Sequence, residues 1–319
     1  MNIHGKDMKI FSANSNLPLA REMASILGLP LGDSEVGTFS DGEIAVNINE
    51  SVRGFDVFVV QSTSNPVNRN LMELLIMLDA FKRASAGRIT AVVPYFGYSR
   101  QDRKSKARDP ISARLVADLI TTAGADRILT MDLHSPQIQG FFGIPVDDLQ
   151  GMSILAPHFR EKFKDNLDDI ICVSPDLGSV ARARSFSYRM GVGLALIDKR
   201  RQKANVSQVM NIIGDVKDKI VIITDDMIDT AGSLCNAAAA VIERGGAKEV
   251  YAAATHGVLS GDAIEKIEKS YLKEVVLLNT INIPEEKRIP KLRIIPVAGV
   301  FAQAAERIYT DKPISPLFN

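Results

Sequence analysis

Residues 220–233 read IVIITDDMIDTAGS, which joins an apolar run to a polar turn and then to the start of an alanine-rich segment. The apolar run predicts a buried strand, and the alanine-rich segment predicts a helix. Two adjacent carboxylates, Asp225 and Asp226, follow the apolar run directly. Because open α/β sheets bind ligands at the carboxyl ends of their strands, we expect these acids to face a ligand.

The turn between the acids and the predicted helix has the composition of a phosphate site. Its small and polar residues are Asp229, Thr230, Ala231, Gly232 and Ser233. Backbone N–H groups at the start of a helix bind phosphate, and paired carboxylates accept hydrogen bonds from vicinal hydroxyls. The segment therefore predicts a site for ribose 5-phosphate. The alternative is an N-capping aspartate in a surface turn without a ligand. The segment is neither a Walker A loop nor a GxGxxG pattern, which counts against a P-loop kinase and a dinucleotide enzyme.

The rest of the chain alternates short apolar runs with helical patterns, which predicts βαβ units and largely parallel sheets. Strands are predicted at residues 55–60, 89–93, 127–131, 169–173, 192–197, 220–224 and 249–254. A helix near residues 153–163 is expected to link two halves. We therefore predict an α/β fold of two doubly wound domains, residues 1–150 and 151–307, with a tail at 308–319 that packs back on the first.

The 319 residues carry 38 basic and 38 acidic side chains. This balance creates no overall field for nucleic acid or an anionic membrane, so local clusters must hold an anionic substrate. Cys172 and Cys235 show no CxxC spacing, and there is no run of about 18 apolar residues. The composition predicts a reduced, cytoplasmic setting with no nucleic-acid or membrane partner.

Two polar segments in the first half have more than one interpretation. Asp41 and Gly42 lie between apolar residues in the pattern of a hairpin turn. The segment from Tyr98 to Asp109 carries five basic residues and follows a predicted strand. It is either a solvated loop or a basic group at the ligand edge of the first sheet. Asp109 and Pro110 are predicted to begin the next helix as its N-cap and first-turn residues.

Seven segments follow one another in the order typical of one family. They are GTFSDGE at 37–43, YSRQDRK at 98–104, MDLHSPQIQGFF at 131–142, SPDLG at 174–178, DKRR at 198–201, the acidic turn, and THGVLSG at 255–261. Through them nearly the whole chain resembles the ribose-phosphate diphosphokinases of the class I bacterial type. Ser233 stands where the family usually has Thr, and Ser99 where Ala is frequent. Both keep a small side chain.

The resemblance implies two tandem phosphoribosyltransferase-like domains. It also implies Mg²⁺-dependent transfer of the diphosphoryl group of ATP to the C1 hydroxyl of ribose 5-phosphate, with AMP as the other product. The ATP residues it implies are Phe39, Asp41, Gly42, Glu43, Arg100 and Gln101. It implies metal contacts at His134 and Asp176, although a single histidine is more often structural and Mg²⁺ prefers oxygen. No residue is identified as a general base.

Lys199 and Arg201 belong to a basic triplet at the end of a predicted strand. The simpler interpretation is a plain strand end. At a ligand edge opposite the acidic turn, the two side chains are better interpreted as a catalytic clamp that neutralises charge on the transferring phosphoryl group. Arg201 is also expected to contact ribose 5-phosphate, together with Asp225, Asp226 and residues 229–233.

The resemblance further implies a homo-oligomer, namely a hexamer. It places Ser51, Arg53, Ser315 and Phe318 near a regulatory site for phosphate or ADP. Three alternatives compete with this function: a phosphoribosyltransferase that attaches a nucleobase, a non-catalytic regulatory subunit, and a ligand-sensing transcription factor. The first would have no dedicated ATP site, and the second would have lost the basic loop, Lys199 or the acidic turn. The third would carry a DNA-binding module and a basic surface.

Overall fold

The structure, a computed structural model, describes residues 7–200 and 209–318. They form two compact units, and the chain passes between them more than once. Among the described residues, unit 1 comprises 7–150, 280–282 and 296–318, and unit 2 comprises the remainder of 151–295. Residues 296–307 therefore lie in unit 1, whereas the sequence analysis assigned them to the second domain.

Both units alternate strands and helices along the chain. The strands are β1 (Met8–Ser12), β2 (Ser34–Thr38), β3 (Ile44–Ile48), β4 (Asp56–Val60), β5 (Arg88–Val93), β6 (Arg127–Met131), β7 (Val146–Leu149), β8 (Ile170–Ser174), β9 (Gly193–Arg200), β10 (Val209–Ile213), β11 (Ile220–Ile228), β12 (Glu249–Gly257), β13 (Leu272–Leu278) and β14 (Leu292–Ile295). The helices are α1 (Leu17–Ile26), α2 (Val67–Arg83), α3 (Ser112–Ala123), α4 (Met152–Lys162), α5 (Val180–Met190), α6 (Gly232–Glu243), α7 (Ala263–Lys269) and α8 (Ala298–Tyr309). No helix in the described ranges is long and apolar enough to cross a membrane.

The central sheet of unit 1 has the order β1-β4-β5-β6-β7, and every pairing in it is parallel. All five residues of β4 are buried, as expected for a strand covered on both faces. Leu74, Leu78 and Phe81 of α2 pack on this sheet and are fully buried. Each such side chain contributes about 1.5–3 kcal/mol through burial of its apolar surface.

Strands β2 and β3 form an antiparallel hairpin in which Thr38 pairs with Ile44. The turn between them contains Asp41 and Gly42. The φ angle of Gly42 is +95°, a value that favours glycine because it has no Cβ atom. The N–H of Phe39 donates to the carbonyl of Glu43 at 2.8 Å and closes the turn. The predicted hairpin is confirmed.

The sheet of unit 2 has the order β10-β9-β8-β11-β12-β13-β14. Its strands are parallel except β10, which pairs antiparallel with β9 at the edge. The chain leaves β8 through α5 to β9 on one side, and β11 lies on the other side of β8. The strand order therefore reverses between β8 and β11. Such a reversal opens a crevice at the carboxyl ends of the two strands.

Two local predictions differ from the structure. Strand β11 was predicted to end at Thr224 but continues to Ile228, because its pairing with β12 extends from Asp225–Ala254 to Ile228–Gly257. Asp109 was predicted to be the N-cap of α3, but Ile111 has that position. The Asp109 carboxylate instead accepts a hydrogen bond from the N–H of Lys106 at 2.7 Å, within a turn of the preceding loop.

Candidate functional site

The candidate site lies in unit 2 at the crevice between β8 and β11. Pairing between these strands ends at Val173 and Ile223, whereas β11 remains paired with β12 for several more residues. Asp225 and Asp226 therefore lie on β11 beyond the end of its ladder with β8. The chain folds this way because Ser174-Pro175 ends β8 while the apolar residues of β11 stay buried beside β12.

The two carboxylates are held by groups from α5 and its preceding turn. The Ser179 hydroxyl donates to Oδ1 of Asp225 at 3.0 Å, and the backbone N–H of Asp226 donates to the same oxygen at 2.9 Å. Nη1 of Arg182 lies 3.7 Å from Oδ1 of Asp225 and 3.4 Å from Oδ1 of Asp226. The side chain of Asp226 is 5% exposed, and that of Asp225 is 30% exposed. The pair is thus a nearly buried acidic centre with one open side.

Burial and the neighbouring acid change the protonation of this pair. The pKa of the Asp225 carboxyl is raised to about 7. Burial is the largest cause, and the charge and hydrogen bonding of Asp226 are the next. Arg182 and the Ser179 hydroxyl act in the opposite direction because they stabilise the carboxylate. Strongly shifted carboxyl groups in a crevice are typical of functional sites.

The turn that joins β11 to α6 contains one residue with a strained backbone conformation. Ala231 has a φ angle of +57°, and Gly232 begins the helix. Ala231 has no polar atom in its side chain to cap α6, so the first N–H groups of the helix are placed to receive an anion. Thr230 and Ser233 are exposed beside them. The turn therefore has the backbone arrangement and hydroxyls that the sequence predicted for a phosphate site.

A second loop supports this turn through its backbone. The N–H groups of Leu259 and Ser260 donate to the carbonyls of Ile228 and Asp229, both at 3.0 Å. Nζ of Lys287 donates to the carbonyl of Leu259 at 2.8 Å. These bonds hold the turn against the end of β12.

Asp176 follows β8 at the same edge of the sheet. Its Oδ1 accepts the backbone N–H of Ser179 at 3.0 Å, and its carbonyl accepts the Ser174 hydroxyl at 2.7 Å. No group of three or more His, Cys, Asp or Glu side chains in the described ranges forms a metal cage. Mg²⁺ needs few protein ligands when substrate phosphates and water complete its octahedron. A single carboxylate at this edge of the sheet fits that requirement.

Lys199 lies near the end of β9, where its backbone pairs with Met210 of β10. Ser174, the last residue of β8, pairs with Leu196, so Lys199 is three residues farther toward the carboxyl edge. The backbone of Lys199 is thus at the carboxyl edge of the sheet, and its part in a clamp stays a prediction. Arg201 lies outside the described residues.

The predicted ATP residues lie in unit 1. Arg100 and Gln101 follow β5 and are exposed, as is His134 after the neighbouring strand β6. The carbonyl of Gln101 accepts the N–H of Ala113 at 3.2 Å, which ties the start of the basic loop to α3. At the β2–β3 hairpin, the other predicted residues are all exposed, and Phe39 is 60% exposed. The structure thus places these residues in two groups, one at the carboxyl edge of the sheet and one at the hairpin.

The predicted regulatory residues also lie in unit 1. Ser51 and Arg53 are exposed on either side of buried Val52, in the segment before β4. Ser315 is exposed in the 3₁₀ turn Ser315–Phe318. The side chain of Phe318 lies outside the described residues.

Ser179 and Arg182 were missed by the sequence analysis. The signal that could have found them is their spacing, because Asp176, Ser179 and Arg182 recur at intervals of three residues across the start of a helix. Residues three apart share a helix face. That face packs against β11, so it brings the two polar side chains to the carboxylates.

Comparison with known proteins gives a consistent result for the whole chain. Residues 8–124 match the family model described as the N-terminal domain of ribose phosphate pyrophosphokinase, and residues 201–319 match the phosphoribosyl synthetase-associated domain. The ribose-phosphate pyrophosphokinase of Clostridium perfringens is 63% identical over 100% of this chain and 99% of its own length. The enzyme of that name from Bacillus caldolyticus is 56% identical over 98% of each chain.

A solved structure agrees with these sequence relationships. The crystal structure of phosphoribosylpyrophosphate synthetase from Mycobacterium smegmatis superposes with a TM-score of 0.91 at 44% identity. The match covers 96% of this chain and 100% of that one. It confirms the predicted α/β fold with two phosphoribosyltransferase-like domains. The chain therefore belongs to the ribose-phosphate pyrophosphokinase family.

Proposed function

We propose that this chain transfers the diphosphoryl group of ATP to the C1 hydroxyl of ribose 5-phosphate, producing phosphoribosyl diphosphate and AMP. The observation that carries the proposal is the pair Asp225 and Asp226 beside the N-terminus of α6 at the strand-order reversal of unit 2. Acceptors for a vicinal diol and donors for a phosphate are thus joined by one short turn. Full-length relatives at 54–63% identity carry the name of this activity.

The sugar half of the reaction is assigned to residues of the turn. Asp225 and Asp226 accept hydrogen bonds from ribose hydroxyls, because a carboxyl group keeps acceptor oxygens whether or not it carries a proton. Thr230, Ser233 and the first N–H groups of α6 receive the 5-phosphate, and Asp229, Ala231 and Gly232 shape the turn. Because the acids bind the ribose hydroxyls and the turn binds the 5-phosphate, the sugar has a single orientation and its C1 hydroxyl a fixed position.

The ATP half is assigned to unit 1. Phe39 supplies an aromatic face for adenine, and Asp41 and Glu43 accept hydrogen bonds from its amino group at the tight Gly42 turn. Arg100 and Gln101 bind the nucleotide from the basic loop. Closure of that loop over the triphosphate would exclude water and limit wasteful hydrolysis.

The chemical step needs charge neutralisation rather than a covalent intermediate. The C1 hydroxyl of the sugar is the nucleophile: its oxygen bonds to the β-phosphorus, its proton passes to solvent, and the bond from the β-phosphorus to the oxygen of the departing AMP breaks. Lys199 and Arg201 neutralise negative charge that accumulates on the transferring group and on the departing AMP. Arg201 also contacts the sugar phosphate.

Mg²⁺ supplies charge neutralisation of the triphosphate when it is bound. Asp176 and His134 are the residues that would hold it, with phosphate oxygens and water as the other ligands. The carboxylate of Asp176 suits a hard cation better than an imidazole does. Its backbone partner Ser179 fixes the orientation of that carboxylate at 3.0 Å.

The remaining assignments follow from the family. Ser51, Arg53, Ser315 and Phe318 are assigned to a regulatory site for phosphate or ADP. The chain is proposed to form a homo-oligomer, a hexamer by resemblance, and to act in the cytoplasm without nucleic-acid or membrane partners.

A product assay tests the proposed function directly. Purified protein is incubated with ATP, ribose 5-phosphate and Mg²⁺, and the adenine nucleotides are separated. The expected product is AMP in equal amount to phosphoribosyl diphosphate, with none formed from ribose lacking the phosphate or after chelation of Mg²⁺. Formation of ADP instead of AMP would overturn the diphosphoryl-transfer assignment, and AMP formation independent of the sugar would indicate hydrolysis.

A further inference from the structure

Arg182 is a cation placed against both carboxylates of the sugar site. Its side chain is 19% exposed, and Nη1 lies 3.4 Å from Asp226 and 3.7 Å from Asp225. Charge-assisted hydrogen bonds are usually about 2.7–2.9 Å long, so the guanidinium bridges the two acids rather than pairing tightly with one. A bridging cation counteracts the repulsion between neighbouring carboxylates.

Ser179 completes this arrangement from the same helix face. Its hydroxyl binds Oδ1 of Asp225, and its N–H binds Oδ1 of Asp176. Among the described residues, the contacts recorded for the Asp225 carboxylate from Ser179, Asp226 and Arg182 all fall on Oδ1. These contacts hold the Asp225 carboxylate in one orientation, with its side chain 30% exposed toward the open side of the crevice.

We infer that Arg182 is a positioning residue for ribose recognition, which together with Ser179 fixes the two carboxylates in the orientation that accepts the sugar diol. The inference rests on the proposed assignment of the acids to the ribose hydroxyls. Arg182 acts through the acids and is not assigned a substrate contact. Its loss leaves two adjacent, largely buried carboxylates without the bridging charge, so they reorient or take up a proton.

This role predicts a selective effect on the sugar. For Arg182→Ala we expect the KM for ribose 5-phosphate to rise about tenfold or more, while the KM for ATP changes less than about twofold. Arg182→Lys should recover part of the loss because it restores the charge but not the planar bridge. Ser179→Ala should give a smaller rise. Arg184→Ala is the matched control, since Arg184 is exposed on the same helix.

A second measurement separates positioning from general damage to the site. Binding of ribose 5-phosphate and of 2-deoxyribose 5-phosphate is compared by calorimetry in the absence of ATP. If Arg182 orients the acids toward the diol, the preference of the normal protein for the ribose form should fall severalfold in Arg182→Ala. A merely structural role would weaken both ligands equally and leave the ratio unchanged.

The outcomes distinguish this inference from the proposed function. If the unmodified protein forms AMP and binds ribose 5-phosphate but Arg182→Ala retains both KM values and the ribose preference, Arg182 has no positioning role. An equal rise of the KM values for ribose 5-phosphate and for ATP would also overturn the positioning role of Arg182. If Arg182→Ala fails to fold, the two KM values and the ribose preference are measured in Arg182→Lys and Ser179→Ala instead. Failure of the unmodified protein to form AMP would instead refute the proposed function.

Discussion

A Cβ atom at Gly97 would lie 2.3 Å from the backbone oxygen of Thr63. The N–H of Gly97 also donates to the hydroxyl of Thr63 at 2.6 Å. The segments that follow β4 and β5 therefore touch through their backbones at the carboxyl edge of unit 1. Three residues later the chain reaches Arg100, so this contact sets the starting point of the basic loop.

Gly97→Ala is expected to destabilise unit 1 by about 1–3 kcal/mol, because the backbone of Thr63 must move to admit a methyl group. The KM for ATP should rise, since the displaced segment leads to Arg100. Thermal unfolding and steady-state kinetics measure the two effects. Gly299→Ala on α8 is the control, because nothing lies within 4 Å of a Cβ atom there. Equal behaviour of the two variants would contradict the prediction.

Asp225→Asn is expected to stabilise the protein increasingly as pH rises. The folded pKa of Asp225 is raised to about 7, whereas an unfolded aspartate has its ordinary value of 3.8. Between these values the folded state holds more protons than the unfolded state, so the contribution of Asp225 to stability falls as pH rises. An amide has no such dependence.

The test for Asp225 compares melting temperatures at pH 5 and pH 8. The difference between the variant and the unmodified protein should be larger at pH 8, and ribose 5-phosphate binding should weaken in the variant. Asp165→Asn, at an exposed position, is the matched control for the replacement of an aspartate by its amide. A constant difference across the pH range would show that burial and Asp226 do not raise the pKa.

Ala231 should tolerate glycine but not a β-branched residue. Its φ of +57° costs an L-residue about 1–2 kcal/mol, and its side chain is buried. Ala231→Gly removes this strain and should leave the KM for ribose 5-phosphate within about threefold. Ala231→Val adds steric conflict and should raise that KM at least about tenfold by displacing the first N–H groups of α6. The prediction is wrong if both variants bind the sugar equally well.

Arg88→Met is expected to destabilise unit 1 by about 3–5 kcal/mol, because it removes the cation that pairs with a fully buried carboxylate. Arg88 donates from Nε to Asp56 at 3.1 Å and from Nη2 to the carbonyl of Ile308 at 2.9 Å. Chemical denaturation measures the change. Arg83→Met removes an exposed pair with Asp79 and should have no measurable effect. Comparable losses in both variants would refute the special role of the buried pair.

Lys199→Ala is expected to lower kcat by about 10²–10³-fold, because removal of a preorganised charge from a phosphoryl-transfer site has effects of this size. Calorimetric binding of ribose 5-phosphate should change less than about threefold. Lys248→Ala is the control, since Lys248 is exposed before β12 at the opposite edge of the sheet. Retained turnover in Lys199→Ala would remove this residue from the clamp.

The sequence was sufficient to predict the strands that carry the site, because they are short apolar runs with period and length typical of buried parallel strands. Strand β6 was predicted with the bounds it has, β5 begins one residue earlier than predicted, and β8 begins and ends one residue later. Asp225 and Asp226 were placed correctly at the carboxyl edge. The continuation of β11 past them was not predicted, since polar residues in a paired strand resemble a loop in sequence.

The partners of the acids could not be derived in the same way. Arg182 lies more than 40 residues before Asp225, and its orientation depends on how α5 packs against the sheet. An arginine in a polar helix is usually exposed, as Arg184 is two residues later. Asp109 shows the reverse difficulty, because its carboxylate is used by Lys106 in the preceding turn and is not available to cap α3.

The guanidinium of Arg88 donates to the carbonyl of Ile308. Folding of unit 1 therefore depends on residues that are translated after unit 2. Unit 1 includes residues 7–150, which are translated before unit 2, but also residues 296–318, which are translated after it. Unit 2 uses residues no later than Ile295. During translation unit 2 can therefore complete its fold first. Strands β4 and β5 of unit 1 cannot complete their packing until α8 has been translated. A chain stalled before α8 emerges would carry a folded sugar site beside an unfinished first unit, with its buried surface open to chaperones.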